Sequence, residues 1–166
     1  DFRNSAVSLG LCSGGEMVCG VIYQPFSDEV FTAVKGEGAF LNGEPIHVSR
    51  AETMAESLIS IGTTPYEHEY ADRNFEIFKK VFLDCQDIRR IGSAAIELAY
   101  VACGRLDAFF EMNLKPWDYA AGLLLIEEAG GTVTGFQGEK PVPWEKGNIV
   151  GSNGPIGQLL VEKYIN

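Results

Sequence analysis

The sequence predicts a mixed α/β protein built from layers of helix and sheet. In the first third of the chain, short β-branched and aromatic segments alternate with turn residues, a pattern typical of an antiparallel meander. After about residue 70, segments of helical periodicity alternate with short apolar segments, which indicates helices packed on strands. With 166 residues, of which 46% are hydrophobic, the chain is long enough for one domain with a core.

Residues 1–61 are predicted to form the meander, and residues 62–166 the mixed α/β part. The segments "SAVSLGL", "MVCGVIYQP" and "EVFTAVKG" supply its first three strands. Asn42-Gly43 predicts a two-residue type I′ turn, because both residues tolerate the positive φ that this turn needs. The segment "SLISIG" adds one more buried strand.

The mixed part opens with two predicted helices. In "ADRNFEIFKKVF", Phe75, Phe78 and Phe82 recur at helical spacing, and Asp72 can cap the start of the helix. In "GSAAIELAYVACG", Ser93 is the predicted N-cap, and the alanines give the helix a small-residue face that packs closely. The segments "DIRRIG" before this helix and "RLDAFFE" after it are predicted strands.

The third predicted helix begins at Trp117 or Asp118 and runs to Glu128, and Gly130-Gly131 ends it. This helix is apolar on nearly every face, which indicates a buried and rigid element. The segments "GTVTGF" and "NIVGSN" follow as strands, and "PIGQLLVEKYI" forms the last helix.

Composition limits the partners of this protein. A formal net charge of −10 argues against non-specific nucleic-acid binding, which needs clustered basic residues. No apolar run approaches the roughly 20 residues of a membrane span, and no signal peptide opens the chain. The four cysteines are scattered without a C-x-x-C pair, which predicts reduced and mostly buried thiols in a cytoplasmic protein.

Asp118, at the entrance of the apolar helix, admits two interpretations. As a cap, its carboxylate satisfies first-turn N–H groups and faces the positive end of the helix dipole, worth about 0.5–2 kcal/mol. As a functional group, it stands on a rigid platform near Glu111, and the helix start at residues 92–95 offers N–H groups to an anion. This second interpretation predicts a site for a metal ion and a phosphorylated ligand. Arg89 and Arg90 are interpreted as ordinary surface charges, with phosphate steering as the alternative.

Three segments resemble the inositol monophosphatase family. "PWDYAAGLLLIEEAGG" is similar to the signature that closes the family's sequences, and "GSAAIELAYVACGRLDAFFE" to its Gly-Ser/Thr-Ala-Ala helix and following strand. "KGEGAFLNGEPIHVS" resembles its Lys-Gly-x-Gly-Ala-Phe-x-Asn-Gly hairpin. The segments occur in family order and span most of residues 31–135. The resemblance implies alternating helix and sheet layers and a magnesium-dependent, lithium-sensitive phosphomonoesterase that is often a homodimer.

By this resemblance, Asp118 is a Mg²⁺ ligand and catalytic residue that also helps to hold the substrate. Glu111 is implied to bind a hydroxyl group of an inositol ring. The implied substrate contacts at the helix entrance are Gly92, Ser93, Ala94 and Ala95. Thr63 and Thr64 follow "SLISIG", where the family brings a loop near the attacking water. The implied substrate is a small phosphate monoester, inositol monophosphate first, with fructose 1,6-bisphosphate, histidinol phosphate and 3′-phosphoadenosine phosphate as alternatives.

The chain departs from the family at the other metal ligands. An upstream Glu-Glu pair and an Asp-Pro-x-Asp-Gly-Thr loop are absent from it. Because Mg²⁺ needs several oxygen ligands around one octahedral position, Asp118 alone would hold it poorly. Either the sequence lacks the N-terminal region of a complete enzyme, or it is a non-catalytic domain that has lost the metal site. The first is our working hypothesis, and a plain α/β domain with a well-capped helix is the third alternative.

Overall fold

The computed structural model describes residues 3–166, which form two five-stranded sheets and four α-helices. The strands are β1 (Val7–Ser13), β2 (Glu16–Gln24), β3 (Glu29–Val34), β4 (Gly38–Leu41), β5 (Glu44–Pro45), β6 (Leu58–Ile61), β7 (Asp87–Arg89), β8 (Ala108–Leu114), β9 (Thr132–Thr134) and β10 (Gly147–Ser152). The helices are α1 (Ala71–Asp84), α2 (Ala94–Ala102), α3 (Pro116–Glu128) and α4 (Pro155–Leu160), which continues as a π-helical turn over Val161–Ile165.

The first sheet is an antiparallel meander of β1 to β5 in sequence order. Asn42 and Gly43 connect β4 to β5 with φ of 50° and 86°, as a type I′ turn requires, so this prediction is confirmed. The meander ends at Pro45 rather than at residue 61, because β6 pairs with strands of the second sheet.

The second sheet has the strand order β7-β6-β8-β10-β9. Strand β6 runs parallel to both β7 and β8, since helices connect these strands in the sequence. Strand β10 runs antiparallel to β8 and β9. The parallel pairing brings the end of β6 beside the middle of β8, where the Gly62 N–H donates to the Phe110 carbonyl over 2.9 Å.

Helix and sheet layers alternate, as the sequence predicts. Helices α2 and α3 lie between the two sheets, and α1 and α4 cover the outer face of the second sheet. Consecutive side chains of β8 show this arrangement: Phe109 packs in the inner layer with Leu98, and Phe110 packs in the outer layer with Phe78 at a ring-centroid distance of 5.8 Å. The predicted fold class is confirmed.

Helix α1 buries a different stripe from the one its aromatic residues predict. Phe78 is buried, but Phe75 and Phe82 are 65% and 55% exposed. Phe75, Phe78 and Phe82 follow one stripe along the helix. The stripe that faces the sheet is offset from it by one residue and comprises Asn74, Ile77, Phe78 and Val81. Asp72 lies inside the first turn rather than at the N-cap, because the helix begins at Ala71 after a 3₁₀ turn over His68–Tyr70.

The expectation that most cysteines are buried is wrong. Cys12 is exposed, and Cys19, Cys85 and Cys103 are partly exposed. All four are free thiols rather than members of disulfides in the described structure. Among the helices of residues 3–166, none is long and apolar enough to cross a membrane.

Two glycines bring α3 close to its neighbours. A Cβ atom at Gly122 would lie 2.6 Å from the Leu98 Cβ atom of α2. A Cβ atom at Gly20 on β2 would lie 2.9 Å from the carbonyl oxygen of Ala121. Helix α3 is therefore fixed both against α2 and against the first sheet, with no space for an added methyl group.

We expect Gly122→Ala to destabilise the protein. Overpacking against Leu98 exceeds the gain from alanine's higher helix propensity, so the free energy of unfolding should fall by about 1–2 kcal/mol. The midpoint of urea denaturation measures this change. Gly147→Ala is the matched control, because its added Cβ would meet Ile149 Cδ1 at an ordinary 3.4 Å. Equal or higher stability of Gly122→Ala would contradict the packing described.

Candidate active site

The N-termini of α2 and α3 open onto one cavity of about 680 Å³. Residues before β1, the loop after β6 and the second half of β8 form the rest of its wall. All but one of the site residues predicted from the sequence line it: Asp118, Glu111, Gly92, Ser93, Ala94, Ala95 and Thr64. Segments up to 114 positions apart in sequence (Asn4 to Asp118) thus face the same space.

Asp118 is the third residue of α3, and one of its oxygens caps the helix. Its Oδ2 atom accepts a hydrogen bond from the Lys115 N–H over 2.9 Å. Lys115 is held extended before Pro116, with φ of −94° and ψ of 160°. The Oδ1 atom makes no hydrogen bond within the described part of the chain. The carboxylate therefore serves as a cap and still has an oxygen for a ligand in the cavity.

Glu111 lies within β8, opposite Ile149, rather than at the end of the strand. Its side chain packs against Gly62, where an added Cβ would lie 2.0 Å from the Glu111 Cδ atom. Burial raises the pKa of Glu111 to about 7. The hydrogen bond from the Thr64 N–H lowers this pKa, whereas the negative charges of Glu97 and Asp118 raise it. Near neutral pH, this carboxyl group can therefore either donate or accept a hydrogen bond.

Thr64 and Thr63 have different surroundings. Thr64 has a φ of 48°, donates its N–H to Glu111 Oε1 over 2.9 Å, and lines the cavity. Thr63 is not among the lining residues; its Oγ1 accepts a 3.4 Å hydrogen bond from Arg90, and its carbonyl accepts one from Asn74. The structure thus brings Thr64, but not Thr63, to the wall of the candidate site.

The start of α2 presents backbone donors to the cavity. Ser93 is the N-cap, with an extended φ of −142°, but its side chain makes no cap hydrogen bond. The N–H groups of a first helical turn have no partner within the helix, and the helix dipole is positive there. Residues Gly92–Ala95 can therefore hold an anionic or hydroxyl oxygen.

Sequence reasoning missed several residues of this cavity, among them Arg90 and Glu97, whose charges act on Glu111. Arg90 was interpreted as a surface charge, yet it lines the wall, and its charge opposes the rise in the pKa of Glu111. Arg89 does behave as a surface residue, in an ion pair with Asp87. Glu97 is only 1% exposed and also lines the cavity. An acid in the middle of an otherwise apolar helix was the sequence signal that could have identified Glu97.

The described residues offer Asp118 as one candidate ligand for a metal ion. The Asp118 carboxylate oxygen is the donor type that Mg²⁺ prefers. Within residues 3–166, however, no three acidic, histidine or cysteine side chains are grouped closely enough to hold an ion. Asp118 fits as one ligand of a hard cation, and further ligands are needed to complete its coordination.

A sequence model of the Inositol monophosphatase family matches residues 1–165, and the chain belongs to this family. The alternating layers of helix and sheet are those expected from the sequence resemblance. The family assignment is therefore confirmed.

Individual relatives share most of this chain but are longer. It is 44% identical over 156 residues to the Nus factor SuhB of Escherichia coli (strain K12), covering 94% of this chain and 58% of that protein. It is 40% identical over 158 residues to the inositol-1-monophosphatase of Mesorhizobium japonicum, covering 95% and 59%. The crystal structure of extragenic suppressor protein SuhB from Bartonella henselae matches with a TM-score of 0.89 at 40% identity, covering 95% of this chain and 61% of that chain. The chain thus spans about three fifths of these relatives.

We expect the protonation of Glu111 to make stability depend on pH. Its pKa is about 7 in the folded protein and ordinarily 4.5, so the folded state binds more protons between these values. Stability should therefore fall as pH rises through this window, by on the order of 3 kcal/mol. Urea denaturation at intervals from pH 4.5 to 8, in chelator, measures the slope.

Glu111→Gln should flatten that slope, although burial also raises the pKa of Glu97 and leaves a residual dependence in the same direction. Glu76→Gln, an exposed change on α1, is the control and should keep the wild-type slope. A slope unchanged in Glu111→Gln would contradict the buried, protonatable state described for this residue.

Proposed function

We propose that this chain supplies the substrate-binding wall and one metal ligand of a phosphatase that hydrolyses small phosphate monoesters, inositol monophosphate first. The observation that supports it most is the convergence of Asp118, Glu111 and the N–H groups of Gly92–Ala95 on one cavity. Family membership and the name of the Mesorhizobium relative support a phosphatase-type hydrolase. The net charge of −10 favours a small substrate over a nucleic acid.

Asp118 is the proposed metal ligand. The inositol monophosphatase family generally uses metal ions such as Mg²⁺. When bound, Mg²⁺ would lower the pKa of the attacking water and neutralise charge on the leaving oxygen. Its other acidic ligands are expected in sequence that the longer relatives have in addition to this chain. Asp118 keeps its cap contact to Lys115 while its second oxygen serves the ion.

Glu111 and the start of α2 are proposed to bind and orient the substrate. A carboxyl group with a pKa near 7 can pair with a ring hydroxyl as either donor or acceptor. The N–H groups of Gly92–Ala95 would hold a second oxygen of the substrate, with Arg90 supplying positive charge nearby. Holding the ester by two walls fixes the direction from which water attacks.

The protein is further proposed to be lithium-sensitive and homodimeric, as the family resemblance implies, and cytoplasmic, as its scattered cysteines indicate. The free state of its four cysteines is consistent with a reducing compartment.

A second candidate function is that of a non-catalytic interaction protein. The observation that favours it is the 44% identity to a relative named Nus factor SuhB, a name that describes no hydrolase. The incomplete metal-ligand set of the described residues is consistent with it. A protein of this class would keep its fold and its partners after loss of Asp118.

A phosphate-release assay separates the two functions. The intact protein with Mg²⁺ should release phosphate from inositol monophosphate faster than from fructose 1,6-bisphosphate, histidinol phosphate or 3′-phosphoadenosine phosphate. Millimolar lithium should inhibit that release. Absence of release from all four substrates would refute the enzyme proposal and favour the interaction protein.

We expect Asp118→Asn to reduce kcat by orders of magnitude without unfolding the protein. Asparagine still accepts the Lys115 N–H bond, but it cannot supply the negative charge that a hard cation needs. Asp72→Asn, a change of the same type in the first turn of α1, is the control and should leave kcat unaltered. Near-normal turnover of Asp118→Asn would exclude Asp118 as a ligand.

Glu111→Gln should mainly raise KM for inositol monophosphate, by about tenfold, because it weakens binding rather than chemistry. Gly62→Ala should have the same effect, since its methyl group would displace the Glu111 carboxylate. Gly147→Ala again serves as the control. If KM stays at the wild-type value in both variants, Glu111 does not bind the substrate.

A further inference from the structure

Glu97 is a buried carboxylate to which the proposed function gives no role. It is the fourth residue of α2 and is 1% exposed. Burying an acid is costly unless its oxygens receive hydrogen bonds, and an apolar residue would pack α2 against the sheet more cheaply. The hydrogen bonds that Glu97 accepts must therefore offset the cost of burying its carboxylate.

One oxygen of Glu97 connects three parts of the fold. Its Oε1 atom accepts a hydrogen bond from the Ile91 N–H over 2.9 Å and another from Ser60 Oγ over 2.9 Å. Ile91 lies two residues before the N-cap of α2, and Ser60 lies on β6 of the second sheet. The carboxylate thus ties the helix to its own entry segment and to the adjacent strand.

The N-cap side chain of α2 does not hold the entry segment. Ser93 occupies the N-cap position, but its side chain makes no cap hydrogen bond. Gly92, immediately before it, has a φ of 90°, a conformation that glycine adopts easily and that also leaves it free to move. The direction of the first-turn N–H groups therefore depends on what holds the chain at Ile91. The Glu97 carboxylate accepts the Ile91 N–H over 2.9 Å, and Asn4 Nδ2 donates to the Ile91 carbonyl over 2.7 Å.

We propose that Glu97 is a positioning residue, which fixes the entry of α2 so that the N–H groups of Gly92–Ala95 face the substrate cavity. The effect on substrate rests on the proposed function, whereas the effect on the entry segment does not. Glu97 acts through the backbone of Ile91 and needs no contact with the reacting atoms.

Two variants separate the hydrogen bonds from the packing. Glu97→Met keeps the length of the side chain but removes the acceptor. Glu97→Gln keeps a carbonyl oxygen that can accept from Ile91 and Ser60. Ser60→Ala removes the donor to Glu97 together with a 3.2 Å hydrogen bond to the Arg89 carbonyl, and it is a milder change for use if Glu97→Met fails to fold.

Amide hydrogen exchange tests the positioning without any substrate. In the intact protein, Glu97→Met should speed exchange over residues 89–95 by about tenfold, and Glu97→Gln should restore the wild-type rate. Peptides that cover α4 should exchange equally in all variants. Unchanged exchange over residues 89–95 in Glu97→Met and in Ser60→Ala would overturn the proposal.

Kinetics test the consequence for the substrate. Glu97→Met should raise KM for inositol monophosphate about tenfold with kcat within about threefold of wild type, and Glu97→Gln should return KM to normal. Faster exchange with an unaltered KM in an active enzyme would overturn the substrate part of the proposal. Faster exchange in a protein whose wild type hydrolyses none of the four substrates would refute the proposed function and leave the positioning of α2 supported.

Discussion

The close packing of α2 and α3 between the two sheets is the constraint on which the candidate site depends. Gly122 leaves the space that Leu98 fills, and Gly20 lets the Ala121 carbonyl approach the first sheet. Because both helices are buried, their directions are fixed by neighbours on either side. Their N-termini open onto the same cavity, so two positive dipole ends meet there.

Acidic side chains crowd this positive region. The charges of Glu97 and Asp118 both raise the pKa of Glu111, and Arg90 compensates for them only in part. Like charges held together in a partly buried cavity destabilise one another unless a proton or a cation intervenes. A hard cation at Asp118 would relieve that repulsion and would attract a phosphate group. The electrostatics of the described residues are thus consistent with the proposed role of Asp118 as one metal ligand.

Local sequence patterns predict much of the fold, because helix starts, turns and the alternation of elements depend on residues that are close together in the sequence. The Asn42-Gly43 turn depends on two adjacent residues and was predicted correctly. The sequence alone predicts β6 as part of the meander, because its actual pairing with β7 and β8 depends on distant residues. Phe75 and Phe82 share a helical spacing with Phe78, and only tertiary contacts decide which stripe is buried.

The same distinction applies to the candidate site. Asp118 stood out because a carboxylate at the start of an apolar helix is visible in the sequence, and the structure shows that it caps the helix and faces the cavity. Glu97 and Arg90 were missed because their partners, Ser60 and Thr63, lie 37 and 27 positions away. The most direct test of the central claim is a crystal structure of the intact protein with Mn²⁺ and inositol monophosphate. We expect the ion at the Asp118 carboxylate and a ring hydroxyl at Glu111; an ion and a ligand bound elsewhere, with both carboxylates untouched, would contradict the account.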